Sequence, residues 1–357
     1  MEPKAQAATG KTPLRLDSAQ LDVAGFNSGQ WGSSVHGCQA RVLQALGEEL
    51  TYEQLIAYGG LAFRAQVHVA MCPSAAHPCC GYDCTANSNR ALPYLRRVFT
   101  RFPWGPPPES PEQFEAEARQ AVRESIDRGT PVHYSNEEDG LIIGYSQAGR
   151  RWRCVHPYYG DGREAFWYDQ AEGFAGGRWP WALAVWTEPK PQPERTPPRE
   201  LASAALAQAV DMWHAGRSGA NQDYLTGRAA YDHWLDWLEG IDAGRVENPS
   251  AGMQGNGWCF DMLCQCRHLA AGWLENEAPK LLPEARQPLA EAAGAYRQLV
   301  ATCMKGLECT WHLALPPTGA DQWTPAQRAE LIQRLGAARR CEAQAVEALA
   351  AAGAAAR

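Results

Sequence analysis

Apolar and polar positions follow two different periods along the chain. From Ser34 to Leu46 apolar side chains recur every three or four positions, a spacing that predicts an α-helix. Thr51 and Gln54 have the spacing of a capping box, so a second helix is expected to begin there. Two further helices are predicted at 87–98 and 112–127, the second of which opens at a proline and closes at a glycine.

Beyond residue 129 the period changes to that of β-strands. Short β-branched and aromatic runs alternate there with Gly, Pro and Asp turns, a pattern that predicts an antiparallel sheet. Helices followed by strands are the order of an α+β domain. The predicted strands are residues 131–134, 140–145, 151–155, 165–168 and 181–186.

Five prolines fall between Glu188 and Arg199. Their fixed φ angles and missing amide protons predict a semi-rigid extended linker. Every long segment beyond it has a helical period, and the predicted helices are 201–215, 220–238, 257–275, 283–309 and 324–350. The domains expected from these patterns are a lead-in at 1–25, an α+β domain at 26–187, the linker at 188–199 and an all-α domain at 200–357.

Composition narrows the classes of function. The chain has 357 residues, 45% of them hydrophobic, and a formal net charge of -7 without a lysine or arginine block, so we expect no nucleic acid partner. It contains neither an apolar run of about 18 residues nor an apolar signal core, so we expect no membrane segment and a cytoplasmic location.

Twelve cysteines raise the question of metal binding. In a chain of this size without a signal sequence they indicate buried thiols, metal ligands or a nucleophile more than disulfides. One loop holds enough soft ligands for a tetrahedral zinc ion, although their spacing matches no standard zinc motif, and the alternative is that these thiols pack beneath the domain. The candidate ligands are Cys72, His77, Cys79, Cys80 and Cys84. No other cofactor is expected.

Several segments resemble a known family. They are Ser33–Gly47 with the following Thr51–Leu55, then Gly60–Arg64, and finally Gly140–Tyr145 followed by His156 and Pro157. Together they are similar to the N-terminal domain of butirosin-biosynthesis-H-like proteins and, more distantly, to papain-like peptidases that process bacteriocin leaders. In the helical half, residues 230–238 and 256–267 resemble that group's second domain.

This resemblance implies a papain-like fold for 26–187 and an acyl transfer from a carrier protein to an amine of a small molecule. In the family a cysteine at the start of the first helix attacks the acyl carbon, assisted by a histidine at the start of the central strand and by an acid. Those three positions fall on Ser34, Glu138 and His156 in this chain. The catalytic triad positions are therefore altered.

Two functions follow from the altered positions. The first is a degenerate papain-like fold that binds a small molecule or a partner protein, with Glu138 and His156 as polar anchors in an aromatic-lined cleft. The second is an acyltransferase or amidase in which Ser34 or Cys38 attacks and His156 is the base. Ser34 also suits a helix cap and Cys38 a core thiol. Expected ligand contacts are Trp31, His36, His133 and Trp179, and the expected partner is a small molecule or an acyl-carrier protein.

Overall fold

The computed structural model describes residues 18–21, 32–101, 103–136, 138–155, 166–169, 180–315 and 323–357. It is a mixed α+β structure with antiparallel sheets and a largely helical C-terminal region. The chain groups into two compact units, the first from the described parts of Met1–Ser28 and Arg96–Trp186, the second from those of Gly29–Leu95 and Thr187–Arg357. Within the described residues no helix is long and apolar enough to span a membrane.

The first unit is built on an antiparallel sheet with the strand order β3-β8-β4-β5-β6-β7, and β1 pairs with β5. The predicted antiparallel sheet is thus confirmed. Its strands are β1 (Ala19–Gln20), β3 (Tyr94–Thr100), β4 (Val132–Ser135), β5 (Gly140–Ser146), β6 (Arg151–Val155), β7 (Phe166–Asp169) and β8 (Ala182–Pro189).

Helix α4 (Pro111–Asp127) covers one face of this sheet. Its residues Val122 and Ile126 share a buried core with Val132 and Tyr134 of β4. Because successive side chains of a strand point to opposite faces, His133 faces away from that core. In the sheet register His133 lies opposite Leu141 of β5 and Ala184 of β8. This alternation separates a candidate functional histidine from the core of the unit.

The second unit combines helices with a small antiparallel sheet of order β2-β10-β9, formed by β2 (Gln66–His68), β9 (Gly216–Ser218) and β10 (Tyr224–Thr226). The long helix α9 packs against both α7 and α11. Its helices are α1 (Ser34–Ala45), α2 (Tyr52–Gly59), α3 (Thr85–Ala91), α5 (Pro198–His214), α6 (Arg228–Asp242), α7 (Pro249–Asn276), α8 (Ala278–Leu281), α9 (Arg286–Met304), α10 (Trp311–Ala314) and α11 (Pro325–Ala355).

Local sequence signals explain where several helices begin. Thr51 Oγ1 accepts from the Gln54 amide at 3.2 Å and Gln54 Oε1 accepts from the Thr51 amide at 2.9 Å, which confirms the predicted capping box. Thr324 and Gln327 form a second box before α11. Pro111 occupies the first position of α4, where the missing amide proton costs nothing.

Two predicted helices are wrong in extent. The helix predicted at 87–98 ends at Ala91, because Pro93 follows and the chain continues as strand β3, which lies beside β8. The helix predicted at 220–238 starts only at Arg228. Before it, β9 and β10 form a hairpin, flanked by Gly227 at a φ of +62°, so the C-terminal region is not purely helical.

The proline-rich segment is partly regular. Strand β8 continues to Pro189, a 3₁₀ turn spans Gln192–Glu194, and α5 begins at Pro198. Residues 29–95, which we predicted within the first domain, group with the chain beyond Thr187. The predicted domain boundaries stay a prediction, since a compact unit is a grouping in space and does not establish which segments fold together.

A buried ion pair connects α7 and α11 in the second unit. Arg267 Nε lies 2.7 Å from Glu342 Oε2, with side-chain exposures of 0% and 2%. The guanidinium also donates to the carbonyl oxygens of Ala62 at 2.8 Å and Phe63 at 3.1 Å. The hydroxyl of Tyr231 donates to Glu342 Oε2 at 3.2 Å. Both charges are therefore compensated inside the unit.

Candidate functional site

The predicted nucleophile positions lie at the start of α1 in the second unit. Ser34 is 2% exposed and Cys38 is fully buried. Ser33, one position before the predicted Ser34, occupies the N-cap position without a side-chain hydrogen bond to the helix backbone, and its Oγ is 2.8 Å from His36 Nδ1. His36 is itself fully buried, and its predicted ligand contact stays a prediction.

The other triad positions belong to different parts of the chain. Glu138 is half-buried in the turn before β5, in the first unit. His156, Trp31 and Trp179 lie outside the described residues. The Glu138–His156 pair and the predicted triad therefore stay predictions.

His133 and Asp139 form a buried pair in the first unit. His133 Nε2 is 2.5 Å from Asp139 Oδ2, and their side chains are 5% and 3% exposed. The β4–β5 hairpin brings them together, because Tyr134 pairs with Gly140 in its register. The Asp139 carboxylate also accepts from Ser135 Oγ at 3.3 Å and from the Asn136 amide at 3.3 Å. His133, Ser135 and the Asn136 amide thus converge on one carboxylate.

The second ring nitrogen of His133 is buried and has no hydrogen-bond partner among the described residues. Since the carboxylate holds Nε2, Nδ1 is the ring nitrogen left for a contact with another molecule. A carboxylate that orients an imidazole in this way is the arrangement used for general acid–base chemistry. We predicted His133 as a ligand contact but missed Asp139, whose neighbour Glu138 we named instead.

A stacked tryptophan pair lies at the same end of β4. The rings of Trp104 and Trp181 are 5.0 Å apart and nearly parallel, and Trp104 is 47% exposed. The Trp181 amide donates to the carbonyl of Ser135 at 2.8 Å, and Ser135 in turn bonds Asp139. An aromatic surface of this kind suits a flat or apolar ligand group.

Three of the five predicted metal ligands come together in the loop between β2 and α3. The ligand atoms of His77, Cys79 and Cys80 all lie within 4.8 Å of one another. His77 Nδ1 is 2.9 Å from Cys79 Sγ. Hydrogen bonds with Cys79 and then with His77 lower the pKa of Cys80 to about 4. Imidazole and thiolate are ligands that zinc prefers in proteins.

Cys72 and Cys84 lie outside this three-residue group. Cys84 is fully buried, and burial raises the pKa of its thiol to about 11. Cys72 Sγ accepts a hydrogen bond from Ser74 Oγ at 3.1 Å. The structure therefore brings together three of the five predicted metal ligands, namely His77, Cys79 and Cys80.

Two groups of side chains that could bind a ligand or an ion thus lie in separate units. One is the buried His133–Asp139 pair in the first unit, and the other is the His77–Cys79–Cys80 cluster in the second. Comparison with protein-family models and with curated proteins found no match for this chain.

Proposed function

We propose that this chain has a papain-like scaffold, as its resemblance to butirosin-H-like proteins implies, and that it binds a small molecule carrying an amine or hydroxyl group at His133. The buried His133–Asp139 pair carries this proposal. Asp139 fixes the ring through Nε2, so that Nδ1 accepts a hydrogen bond from the N–H or O–H of the ligand.

The energetics favour a donor at this position. A buried acceptor without a partner costs about 1–3 kcal/mol, and a ligand N–H or O–H removes that cost on binding. The stacked Trp104 and Trp181, which are linked to the pair through Ser135, offer an apolar surface to the rest of the ligand. A ligand with a polar donor and a flat or apolar body matches both features.

The altered triad positions favour binding over turnover. Ser34 replaces the cysteine of the family, and a serine needs a positioned base to become a nucleophile. Glu138 replaces the family's histidine. That position therefore offers no imidazole to act as the general base that would remove the proton of the Ser34 hydroxyl.

Small-amine probes test the proposal. Thermal unfolding of the full chain is measured with ethanolamine, 1,3-diaminopropane and glucosamine, for the wild type and for the His133→Leu and His214→Leu variants. A bound probe at about 100 times its Kd stabilises by about 2.7 kcal/mol. We therefore expect at least one probe to raise the Tm of the wild type by several degrees.

The controls decide what the shift means. His214 is exposed in the second unit, so His214→Leu is expected to respond like the wild type. His133→Leu is expected to lose the shift. Absence of any shift in the wild type, or an equal shift in His133→Leu, would refute the assignment.

Acyl transfer to an amine is the second candidate, and the same Nδ1 favours it. The amine attacks the acyl carbon of a thioester, the C–S bond breaks as the C–N bond forms, and His133 passes the amine proton to the departing thiolate. S-Acetyl-N-acetylcysteamine and ethanolamine are then expected to give N-acetylethanolamine and free N-acetylcysteamine with the wild type and not with His133→Leu. Equal amide formation by both proteins contradicts this role.

A further inference from the structure

The loop between β2 and α3 brings one imidazole and two thiols together, with their ligand atoms within 4.8 Å of one another. We propose that His77, Cys79 and Cys80 bind one zinc-class divalent cation and leave one coordination position for water or an external ligand. This metal site is separate from the proposed ligand site, because it lies in the second unit and does not involve His133.

The donor atoms fit a tetrahedral ion. Zn–S bonds of about 2.3 Å and Zn–N bonds of about 2.0 Å place tetrahedral ligand atoms about 3.5–3.8 Å apart. The separation is 2.9 Å between His77 Nδ1 and Cys79 Sγ, and no pair in the group exceeds 4.8 Å. Small side-chain rotations therefore bring all three atoms to bonding distance. Two sulfurs and one nitrogen favour zinc over magnesium or calcium, which prefer oxygen.

The backbone of the loop is fixed by Arg64, a residue outside it. Arg64 is 6% exposed, and its guanidinium donates six hydrogen bonds, of 2.9–3.4 Å, to loop carbonyl oxygens. These carbonyls belong to Ala75, Ala76, His77, Pro78, Cys80 and Tyr82. One rigid side chain thus holds the backbone on both sides of the ligands, which prepares the site before an ion arrives.

Gln66 and Gly81 fix the backbone around Cys80. Gln66 Nε2 donates to the Cys80 carbonyl at 2.9 Å, and Gln66 Oε1 accepts from the Tyr82 amide at 2.9 Å. Gly81 has a φ of +70°, and a Cβ there would lie 2.5 Å from Gln66 Oε1. Only glycine permits this close approach. The Cys80 backbone is therefore held by contacts that do not involve its thiol.

Cys72, another cysteine of the loop, lies outside the group of ligand atoms. Its Sγ accepts from Ser74 Oγ at 3.1 Å, and Ser74 Oγ is 3.0 Å from the Tyr224 hydroxyl. Cys72 thus has a hydrogen-bond partner of its own, and the proposed ion keeps a fourth position for water or an external ligand. Cys79 is exposed and the other two ligands are half-buried, so an ion reaches the site from solvent. Three protein ligands with an open position are the arrangement of catalytic zinc sites.

Zinc titration of the full-length, metal-stripped protein against a chelating dye tests the site. We expect the wild type to bind about one zinc ion, and His77→Gln, Cys79→Ser and Cys80→Ser each to weaken binding by about 100-fold or more. Cys72→Ser is the matched control from the same loop, and its affinity is expected to stay within about twofold of the wild type. Circular dichroism checks that each variant is folded.

Cobalt substitution gives a second readout that needs no variant to fold. Cobalt bound in the wild type is expected to show thiolate charge-transfer absorption and the visible bands of a tetrahedral ion. Failure of the wild type to bind zinc, or full binding by Cys80→Ser, would overturn the proposal. Loss of binding in Cys72→Ser equal to that in Cys80→Ser would overturn the open position.

Discussion

Replacing Arg64 by methionine is expected to destabilise the second unit by about 3–4 kcal/mol, because the buried carbonyl oxygens of the Cys72–Cys84 loop lose their shared donor. Methionine fills a similar volume but offers no N–H group. The carbonyls nearest solvent regain water, which keeps the loss below the sum of six separate hydrogen bonds. Urea unfolding of the full chain measures the change in the free energy of unfolding.

Two further variants show whether the several N–H donors of the Arg64 guanidinium, and not its charge alone, stabilise the second unit. Arg64→Lys keeps the charge but has three donors instead of five, so an intermediate loss is expected. Arg97→Met removes an exposed arginine paired with Glu117 at the surface and is expected to cost less than about 1 kcal/mol. A loss below about 1 kcal/mol in Arg64→Met would show that the six hydrogen bonds do not hold the loop.

Replacing Glu342 by glutamine is expected to cost about 3–5 kcal/mol, since it leaves the charge of Arg267 buried without its counter-ion. The fully buried Tyr231 and Tyr296 also bond the carboxylate at its two oxygens. Glutamine retains one carbonyl oxygen and therefore satisfies only part of this set. The same urea unfolding experiment measures the loss.

A double-mutant cycle separates the pair from its surroundings. When Arg267→Met is combined with Glu342→Leu, no charge remains buried, so the double variant is expected to lose less stability than the two single variants together. Strict additivity would show that Arg267 and Glu342 do not interact. Glu275→Gln, at an exposed pair with Arg297, is the surface control and is expected to change stability little.

The elements with strong periodicity were predictable from the sequence. Helix α1, the capping box of α2 and strand β5 follow from local signals, namely an apolar spacing of three or four, the Thr51–Gln54 pair and an apolar run that begins at a glycine. The helix predicted at 87–98 ends at Ala91 because Pro93 interrupts the helix and residues 94–100 pair as β3 with β8, which is distant in the chain. The hairpin before α6 depends on pairing between β10 and β2, which are far apart in the chain.

The candidate sites were predictable only as far as they are local. His77, Cys79 and Cys80 are close in sequence, so the cysteine loop could be named as a whole. Which three of the five residues come together depends on the backbone conformation of the loop, which Arg64 holds through its hydrogen bonds. For the His133–Asp139 pair, the sequence signal was a histidine in one strand and an aspartate immediately before the next. The spacing of the resembled family pointed to the neighbouring Glu138 instead.

Placement of the proton on His133 tests the proposed ligand contact most directly. Nitrogen-15 NMR of histidine-labelled protein at neutral pH, assigned with His133→Leu, distinguishes the two ring nitrogens. The geometry predicts a proton on Nε2, shared with Asp139, and an unprotonated Nδ1 whose resonance shifts when a binding amine is added. A protonated Nδ1 with a bare Nε2, or an Nδ1 resonance unchanged by a bound amine, would contradict the proposed site.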